Sequence, residues 1–269
     1  MTRRQALRAI VAGGAGIAAG GAGYGALYER RSIRLVEARV PVQGLPPDLS
    51  GLRVGLMTDV HHSRFFSRED VDRAVSLLMG SRPDLIALGG DYITWTDRGY
   101  ADSSGEALAA LSAPGGVYAV LGNHDDSSIM PRALSRRGVT VLDDARTLVE
   151  IRGSRLEIAG LNFWTKRLSA VSDVLRGASH PLVVIAHDPR RIQQASELGA
   201  AAVLAGHTHG GQIVPPIVGA VATRKYPVTA GLLRHGRTSL FVSRGLGTVY
   251  LPFRINCPPE VNLLTMVAA

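Results

Sequence analysis

Residues 52–61 read LRVGLMTDVH, an apolar run that ends at an aspartate and a histidine two positions apart. The run has the length and composition of a buried strand. The same order, an apolar strand followed by a polar motif, returns at residues 85–91 (LIALGGD) and 117–125 (VYAVLGNHD). A helical apolar pattern follows the first unit and begins after Ser67, which is a good N-cap residue. Strands that alternate with helices predict parallel pairing in a buried α/β sheet.

The second half of the chain continues this pattern with more antiparallel character. We predict strands at residues 139–142, 147–151, 156–160, 182–186, 201–205, 239–243 and 261–266. Turns at Asp143-Asp144 and Gly153-Ser154 are expected to join the first three of them. Helices are predicted at residues 169–175 and 193–198.

Five polar motifs follow strands along the chain. They are Asp59-Val60-His61, Gly90-Asp91, Gly122-Asn123-His124-Asp125, Ala186-His187-Asp188 and Gly206-His207-Thr208-His209. Because ligands collect at the carboxyl ends of strands in such sheets, we expect the motifs to lie together. Carboxylates, an amide oxygen and imidazoles form a mixed donor set that suits a pair of hydrolytic metal ions. Two such ions can clamp a phosphoryl group and activate a water molecule to attack it.

In kind and order these motifs resemble the calcineurin-like metallophosphoesterase superfamily, whose pattern is D-x-H, G-D, G-N-H-D/E, a lone H and G-H-x-H. The resemblance covers residues 50–265. It implies a two-sheet β-sandwich flanked by helices, with mixed parallel and antiparallel strands. It also implies a phosphoester hydrolase in which two divalent metal ions activate a bridging hydroxide. The stretch 210–212 (GGQ) further resembles a subfamily of exported and membrane-associated phosphoesterases.

The resemblance implies a role for each motif residue. The first metal ion would be bound by Asp59, His61, Asp91 and His209, and the second by Asp91, Asn123, His187 and His207, so that Asp91 bridges the two ions. His124 would not be a ligand. It would be the catalytic residue that protonates the leaving group or stabilises charge on the phosphoryl oxygens.

Several neighbours of these motifs are candidates for supporting roles. Either Asp125 or Asp59 would orient His124, and the sequence does not choose between them. His62 either lines the pocket or faces solvent. Arg64, Tyr92 and Arg244 are candidate substrate contacts from loops that follow strands. Asp125, His62 and Arg64 therefore complete the predicted site.

The metal identity and the substrate are open at this level. Manganese is our first choice, with zinc or iron next, because this ligand set accepts all three. We predict a phosphodiesterase that acts on lipid head groups or cell-envelope phosphodiesters. One alternative is a pyrophosphohydrolase of nucleotide-linked acylated sugars, of the UDP-2,3-diacylglucosamine type. Another is a non-catalytic phosphate- or lipid-binding protein, which would be expected to have lost a ligand or His124.

A nuclease is a further alternative, but we do not expect a nucleic-acid substrate. The formal net charge of +8 suits anionic substrates or anionic lipid. Aromatic residues make up only 5% of the chain, however, and no stacking platform for bases is apparent.

The first 30 residues differ in composition from the rest. Residues 2–8 (TRRQALR) contain a twin arginine, and the 19 residues from Ala9 to Leu27 carry no charge. This segment resembles a twin-arginine export signal, and its length also suits an uncleaved anchor. We therefore predict a leader at residues 1–30 and a metallophosphoesterase domain at 31–269. The expected partners are the export machinery and a membrane surface, and the expected location is the outer face of the cytoplasmic membrane, the periplasm or the cell wall. Cys257 is the single cysteine, so an internal disulfide is excluded.

Overall fold

The computed structural model describes residues 2–220 and 223–269. Helix α1 (Arg3–Leu27) precedes a body in which two six-stranded sheets pack face to face. Further helices cover the outer face of each sheet. The predicted α/β sandwich with mixed strand directions is confirmed.

The first sheet holds the strands that precede the first three motifs. Its members are β1 (Arg34–Val42), β2 (Arg53–Met57), β3 (Leu85–Leu88), β4 (Val117–Ala119), β5 (Thr140–Val141) and β12 (Glu260–Ala268), in the spatial order β1-β12-β2-β3-β4-β5. Strands β2 to β5 pair in parallel, and β12 is antiparallel to β2. The carboxyl ends of β2, β3 and β4 therefore meet at one edge of the sheet.

The second sheet holds the strands that precede the two histidine motifs. Its members are β6 (Ala145–Ile151), β7 (Ser154–Leu161), β8 (Leu182–Ala186), β9 (Ala202–Ala205), β10 (Gly231–His235) and β11 (Thr238–Val242), in the spatial order β10-β11-β9-β8-β7-β6. Strands β7, β8, β9 and β11 are parallel, whereas β6/β7 and β10/β11 are antiparallel pairs.

The helices follow the apolar pattern of the sequence. They are α2 (Arg68–Gly80), α3 (Ala101–Leu108), α4 (Met130–Ser135), α5 (Leu168–Leu175) and α6 (Ile192–Glu197). Helix α2 begins with a capping box, in which Ser67 and Asp70 each accept a hydrogen bond from the other's backbone amide. Helices α2 to α4 share a core with the first sheet, and α5 and α6 share one with the second.

One strand lies in a different sheet from the one expected. Turns were predicted to join the strand at residues 139–142 to the next two strands, but β5 pairs in parallel with β4 instead. Leu142 continues this pairing, because its amide donates to the Ala119 carbonyl and its side chain packs between the two sheets. The Asp143-Asp144 turn therefore carries the chain from one sheet to the other. Strand β10 and helix α4 were not predicted, since both are short and β10 is largely exposed.

Helix α1 is largely exposed along its length but is attached to the body at its end. Among the described residues it is the one helix long and apolar enough to cross a membrane, a property that signal sequences share. Gly25 packs against the backbone of Arg254, whose amide donates to the Gly25 carbonyl. Just after the helix, the buried Glu29 carboxylate accepts a hydrogen bond from the Cys257 amide at 2.6 Å.

Candidate metal centre

The motif residues take an unusual backbone conformation at the strand ends. Five of the seven predicted ligands have positive φ angles: Asp59 (52°), His61 (47°), Asp91 (58°), His207 (71°) and His209 (50°). Residues other than glycine rarely adopt this left-handed region, and such strain concentrates at functional sites. Two backbone hydrogen bonds, from Asp59 to the Gly90 carbonyl and from His61 to the Asp91 carbonyl, hold the first two motifs side by side.

The predicted ligands form two groups of three. In the first group, ligand atoms of Asp59, His61 and His209 lie within 4.8 Å of one another, and all three side chains are buried. His209 Nε2 lies 3.4 Å from Asp59 Oδ1. His209 lies far from Asp59 and His61 in the sequence. These residues meet because the two sheets pack with the carboxyl ends of their motif-bearing strands at the same edge.

The second group adjoins the first through one carboxylate. Ligand atoms of Asp91, His187 and His207 again lie within 4.8 Å of one another. Asp91 Oδ2 lies 3.1 Å from His187 Nε2 and 3.5 Å from His61 Nε2, so it sits between the two groups. His207 Nδ1 and His187 Nε2 are 3.0 Å apart and converge on the same space. Asn123 lines the same pocket as Asp91 and His207.

Unpaired lone pairs show that this donor set fits divalent cations. Within residues 2–220 and 223–269, His61 Nε2, Asn123 Oδ1 and His209 Nδ1 are buried and have no hydrogen-bond partner. Leaving a buried polar atom unpaired costs about 1–3 kcal/mol. Imidazole nitrogens and amide or carboxylate oxygens are the ligands that zinc, iron and manganese accept.

Burial also keeps most of the imidazoles neutral. It lowers the pKa of His61 and of His207 to about 3, and it lowers the pKa of His209 well below the ordinary value. A neutral imidazole has a free lone pair, which metal ligation requires. Burial raises the pKa of Asp59 to about 6.

His187 behaves differently because it faces two carboxylates. Burial opposes its protonation, but the charges of Asp91 and Asp59 and a hydrogen bond to Asp91 raise its pKa to about 10. Burial by itself would raise the pKa of Asp91, but the neighbouring His187 cation holds that pKa well below its usual range. A divalent cation bound by these carboxylates would compete with the proton on His187.

Two glycines let backbone approach the predicted ligands closely. A Cβ atom at Gly122 would lie 2.0 Å from Asp91 Oδ1, and one at Gly206 would lie 2.3 Å from Asp59 Oδ2. Both glycines belong to motifs recognised in the sequence. Gly245 and Gly247 were missed, although a Cβ at either would come within 2.5 Å of Asp59 or His61. The G-L-G spacing directly after β11 is the signal that could have indicated them.

His124 is oriented by a group that the sequence did not suggest. Its Nδ1 accepts a hydrogen bond from the Trp95 amide at 3.1 Å, so neither Asp125 nor Asp59 is its partner. In the neutral ring the proton consequently sits on Nε2. Burial lowers the pKa of His124, which favours that neutral form. The ring lines the pocket and lies 4.9 Å from the His61 ring.

Asp125 instead binds the backbone beneath Asp91. Its carboxylate accepts hydrogen bonds from the amides of Asp91 and Tyr92 at 2.8 Å, from Gly122 at 2.9 Å and from Ile93 at 3.3 Å. It thereby ties the loop after β3 to the loop after β4. The alternative that it orients His124 is wrong, and its contacts make it a positioning residue for Asp91.

None of the four remaining candidates, His62, Arg64, Tyr92 and Arg244, lines the pocket, and Arg244 lies beside Glu260 instead. His62 is buried, with Nδ1 2.9 Å from the Phe66 carbonyl and Nε2 2.5 Å from Ser103 Oγ, so it neither lines the pocket nor faces solvent. Arg64 is exposed and stacks over Phe65, beside a neighbouring depression. Tyr92 is not a substrate contact either, because it is fully buried and donates to main-chain carbonyls.

The pocket above the predicted ligands has a volume of about 520 Å³. Its floor contains Asp91, Asn123, His124, His207 and His209. Its walls are mainly apolar or aromatic, and comprise Ile213, Pro215, Tyr226, Val249, Tyr250 and Leu251, with Lys225 as a cation. These wall residues were not predicted, because they come from loops without a periodic pattern.

Comparisons with known proteins agree with this site. The family model described as calcineurin-like phosphoesterase matches residues 52–211. The chain is 31% identical to the metallophosphoesterase YkuE of Bacillus subtilis, over 99% of this chain and 98% of that protein. It is 30% identical to the phosphodiesterase YaeI of Escherichia coli, over 80% of this chain and 82% of that protein.

A third relative carries membrane-spanning sequence according to its name. The chain is 28% identical to a transmembrane protein with metallophosphoesterase domain from Danio rerio, over 91% of this chain and 60% of that protein. The two clusters of candidate ligands, the family model and these relatives identify a hydrolase of phosphoric esters. The chain belongs to the calcineurin-like phosphoesterase family.

Proposed function

We propose that this chain is a dinuclear metal-dependent phosphodiesterase that acts on lipid head groups or other phosphodiesters of the cell envelope. The observation that carries the proposal is the position of Asp91 Oδ2 between two groups of candidate ligands, at the floor of a pocket with apolar walls. The similarity to a relative named as a phosphodiesterase supports activity on diesters rather than monoesters.

The proposed ligand sets are those that the motifs imply. Asp59, His61, Asp91 and His209 would hold one ion, and Asp91, Asn123, His187 and His207 would hold the other. Manganese is the proposed metal, with zinc or iron as alternatives. When bound, the pair would supply Lewis-acid stabilisation of the phosphoryl oxygens and a water molecule activated for attack.

His124 would supply the proton of the reaction. Because the Trp95 amide donates to Nδ1, the Nε2–H group is the one available to a substrate in the pocket. That group can donate a hydrogen bond to a phosphoryl oxygen or a proton to the departing oxygen. Asp125 would act indirectly, because its carboxylate accepts hydrogen bonds from the backbone amides of Asp91 and Gly122 and so fixes the position of Asp91.

The walls of the pocket support an amphiphilic substrate. Tyr226, Val249, Tyr250 and Leu251 offer apolar contact, while Lys225 adds a positive charge to the walls. A phospholipid head group joined to glycerol presents a phosphodiester beside an apolar region and so matches both features. A nucleotide-linked acylated sugar would match them too, and a pyrophosphohydrolase on the same site is the second candidate.

We further propose that residues 1–30 direct or anchor the protein and that residues 31–269 form the catalytic domain. The twin arginine at the start of α1 supports export of the folded protein, which could be loaded with metal before translocation. The substrate would then lie at the outer face of the cytoplasmic membrane, or in the periplasm or cell wall.

The experiment uses the full chain in detergent, reconstituted with manganese. Bound metal is measured together with hydrolysis of bis-p-nitrophenyl phosphate, p-nitrophenyl phosphate and a UDP-linked diacylglucosamine. We expect two metal ions per chain and faster hydrolysis of the diester than of the monoester. His180→Ala, at a histidine outside the pocket, is the matched control for substitutions at the predicted ligands.

Three results would contradict the proposal in different ways. Failure to bind metal in stoichiometric amounts would remove the proposed site. Faster hydrolysis of the monoester would remove the diesterase assignment. Hydrolysis of the UDP-linked substrate alone would replace it with the pyrophosphohydrolase.

A further inference from the structure

We propose that the mouth of the pocket is a docking surface for a phospholipid bilayer, so that the enzyme meets its substrate in the membrane plane. The surface is an apolar rim made of Phe65, Trp95, Ile217, Val218, Tyr250 and Leu251. This inference deepens the proposed function, since it names the bilayer as the source of the phosphodiester.

The rim residues are exposed, and Phe65, Trp95, Tyr250 and Leu251 line one depression. Ile217 and Val218 lie on the loop whose Pro215 lines the metal pocket. Tyr250 is 84% exposed and Trp95 is 58% exposed, and their rings lie 5.3 Å apart. Tyr250 and Leu251 line both the metal pocket and a neighbouring depression, whose other wall contains Phe65 and Trp95. Single exposed apolar side chains are common, but a contiguous set around a pocket marks an interaction site.

The backbone of the rim is strained at its most exposed positions. Ile217 is wholly exposed and has a φ of 73°, Tyr250 has a φ of 63° and Trp95 has a φ of 51°. A left-handed backbone is unfavourable for a β-branched residue such as isoleucine, and exposure of its side chain to water is also unfavourable. Residues that combine both penalties indicate that the rim has a partner outside the chain.

The contacts at the end of helix α1 favour a lipid bilayer as this partner. Gly25, in the last turn of the helix, contacts Arg254 and Ile255, and Ile255 bridges to Ile213 of the loop that carries Ile217. On the other side, Arg30 donates a hydrogen bond to the Phe65 carbonyl at 2.9 Å. The helix therefore ends against the same loops that form the rim.

The length of helix α1 then sets the position of the rim relative to the bilayer. At 1.5 Å per residue, 25 helical residues span about 37 Å, which exceeds the roughly 30 Å hydrocarbon core of a bilayer. Tyr24 and Tyr28 are exposed near the end of the helix with their rings 5.3 Å apart, and tyrosines are enriched at the membrane interface. A body that contacts the helix at Gly25 is thus held at the level of the lipid head groups.

Charge around the rim is mainly positive, which suits anionic lipid. Arg64 stacks over the ring of Phe65, Lys225 lines the metal pocket, and Arg30 and Arg31 follow the helix. Asp97 is an acidic residue beside Trp95 in the neighbouring depression. Basic residues next to a membrane segment bind anionic head groups.

The two tryptophans of the chain allow a direct test. The full chain carrying Trp164→Phe, so that Trp95 is the only tryptophan, is reconstituted into vesicles of phosphatidylcholine and phosphatidylglycerol. Quenching of its fluorescence by phosphatidylcholine brominated near the head of the acyl chains is then measured. The matched control carries Trp95→Phe, Trp164→Phe and Leu148→Trp, which places the reporter on the exposed side of β6.

We expect the brominated lipid to lower Trp95 fluorescence by about half or more, because interfacial side chains sit roughly 5–10 Å into the head-group boundary. Fluorescence at position 148 should be unchanged. Equal quenching at the two positions would overturn the proposal. So would a Trp95 signal that depends on protein density in the vesicle rather than on bromine, since that result would assign the rim to a second copy of the chain.

A rim variant separates docking from catalysis. Ile217→Asn with Val218→Ser removes two apolar side chains that do not line the metal pocket, and asparagine tolerates a positive φ. In the Trp164→Phe background we expect this variant to lose most of the quenching of Trp95 while hydrolysis of bis-p-nitrophenyl phosphate stays the same. Undiminished quenching would overturn the role of this loop. An inactive parent chain would contradict the proposed function only, because the fluorescence readout does not need turnover.

Discussion

The floor of the pocket is built from buried polar side chains at strand ends, whereas its rim is built from exposed apolar side chains on loops. At the floor, lone pairs of His61, Asn123 and His209 are buried without a partner among the described residues. At the rim, Trp95, Ile217 and Tyr250 expose apolar surface to solvent. Both regions also contain non-glycine residues with positive φ angles. Each region is unfavourable for the isolated chain in its own way. We propose a different partner for each: divalent cations at the floor and lipid at the rim.

The largest effect is expected from the residue that belongs to both halves of the floor. Asp91→Ala removes the carboxylate between the two ligand groups, so both metal binding and hydrolysis should be abolished. Loss of several kcal/mol of charge stabilisation corresponds to a rate at least about 10³-fold lower. Metal content and hydrolysis of bis-p-nitrophenyl phosphate are measured on the same sample. A variant that keeps two metal ions would show that Asp91 is not shared.

His124→Ala tests the one floor residue that we do not propose as a ligand. Turnover should fall by about 10²–10⁴-fold, the usual contribution of a positioned proton donor, while the metal content stays the same. Because Nδ1 is bound by the Trp95 amide, His124→Asn offers a shorter side chain that could keep that contact without the Nε2 proton donor. Loss of metal from His124→Ala would place His124 among the ligands.

Asp125→Asn should have a smaller effect, because Asp125 acts on Asp91 through the backbone. The amide side chain retains one acceptor oxygen where the carboxylate receives four backbone amides. We expect metal affinity to fall by about 10–100-fold, as for other groups that orient a ligand. Excess metal should then restore much of the activity. An activity defect that no metal concentration corrects would indicate a direct catalytic role.

The smallest effect is expected at the rim, and its sign is opposite. Ile217→Asn relieves a β-branched residue at a positive φ, so the free energy of unfolding in detergent should rise by about 1 kcal/mol. Chemical denaturation of the parent and the variant measures this difference. A loss of stability would mean that the Ile217 side chain packs within the chain and is not available to an outside partner.

The sequence by itself determined the parts of the site that depend only on residues close together in the chain. Each apolar run and the motif after it could be recognised within ten residues, since a buried parallel strand needs a continuous apolar run and metal ions need particular donor atoms. The fold class and the family followed, and the N-cap at Ser67 could be anticipated in the same way. The predicted site residues at the floor lie where the strand ends converge.

Only the tertiary structure decided which groups face each other. The partner of His124 is a main-chain amide, which no sequence motif marks. The Asp125 side chain contacts the Asp91 backbone amide and not His124. The depression beside the pocket joins Phe65, Trp95 and Tyr250 from loops up to 185 positions apart. Exposed loop residues have neither periodicity nor a fixed donor set, so their association depends on how the two sheets and helix α1 bring the loops together.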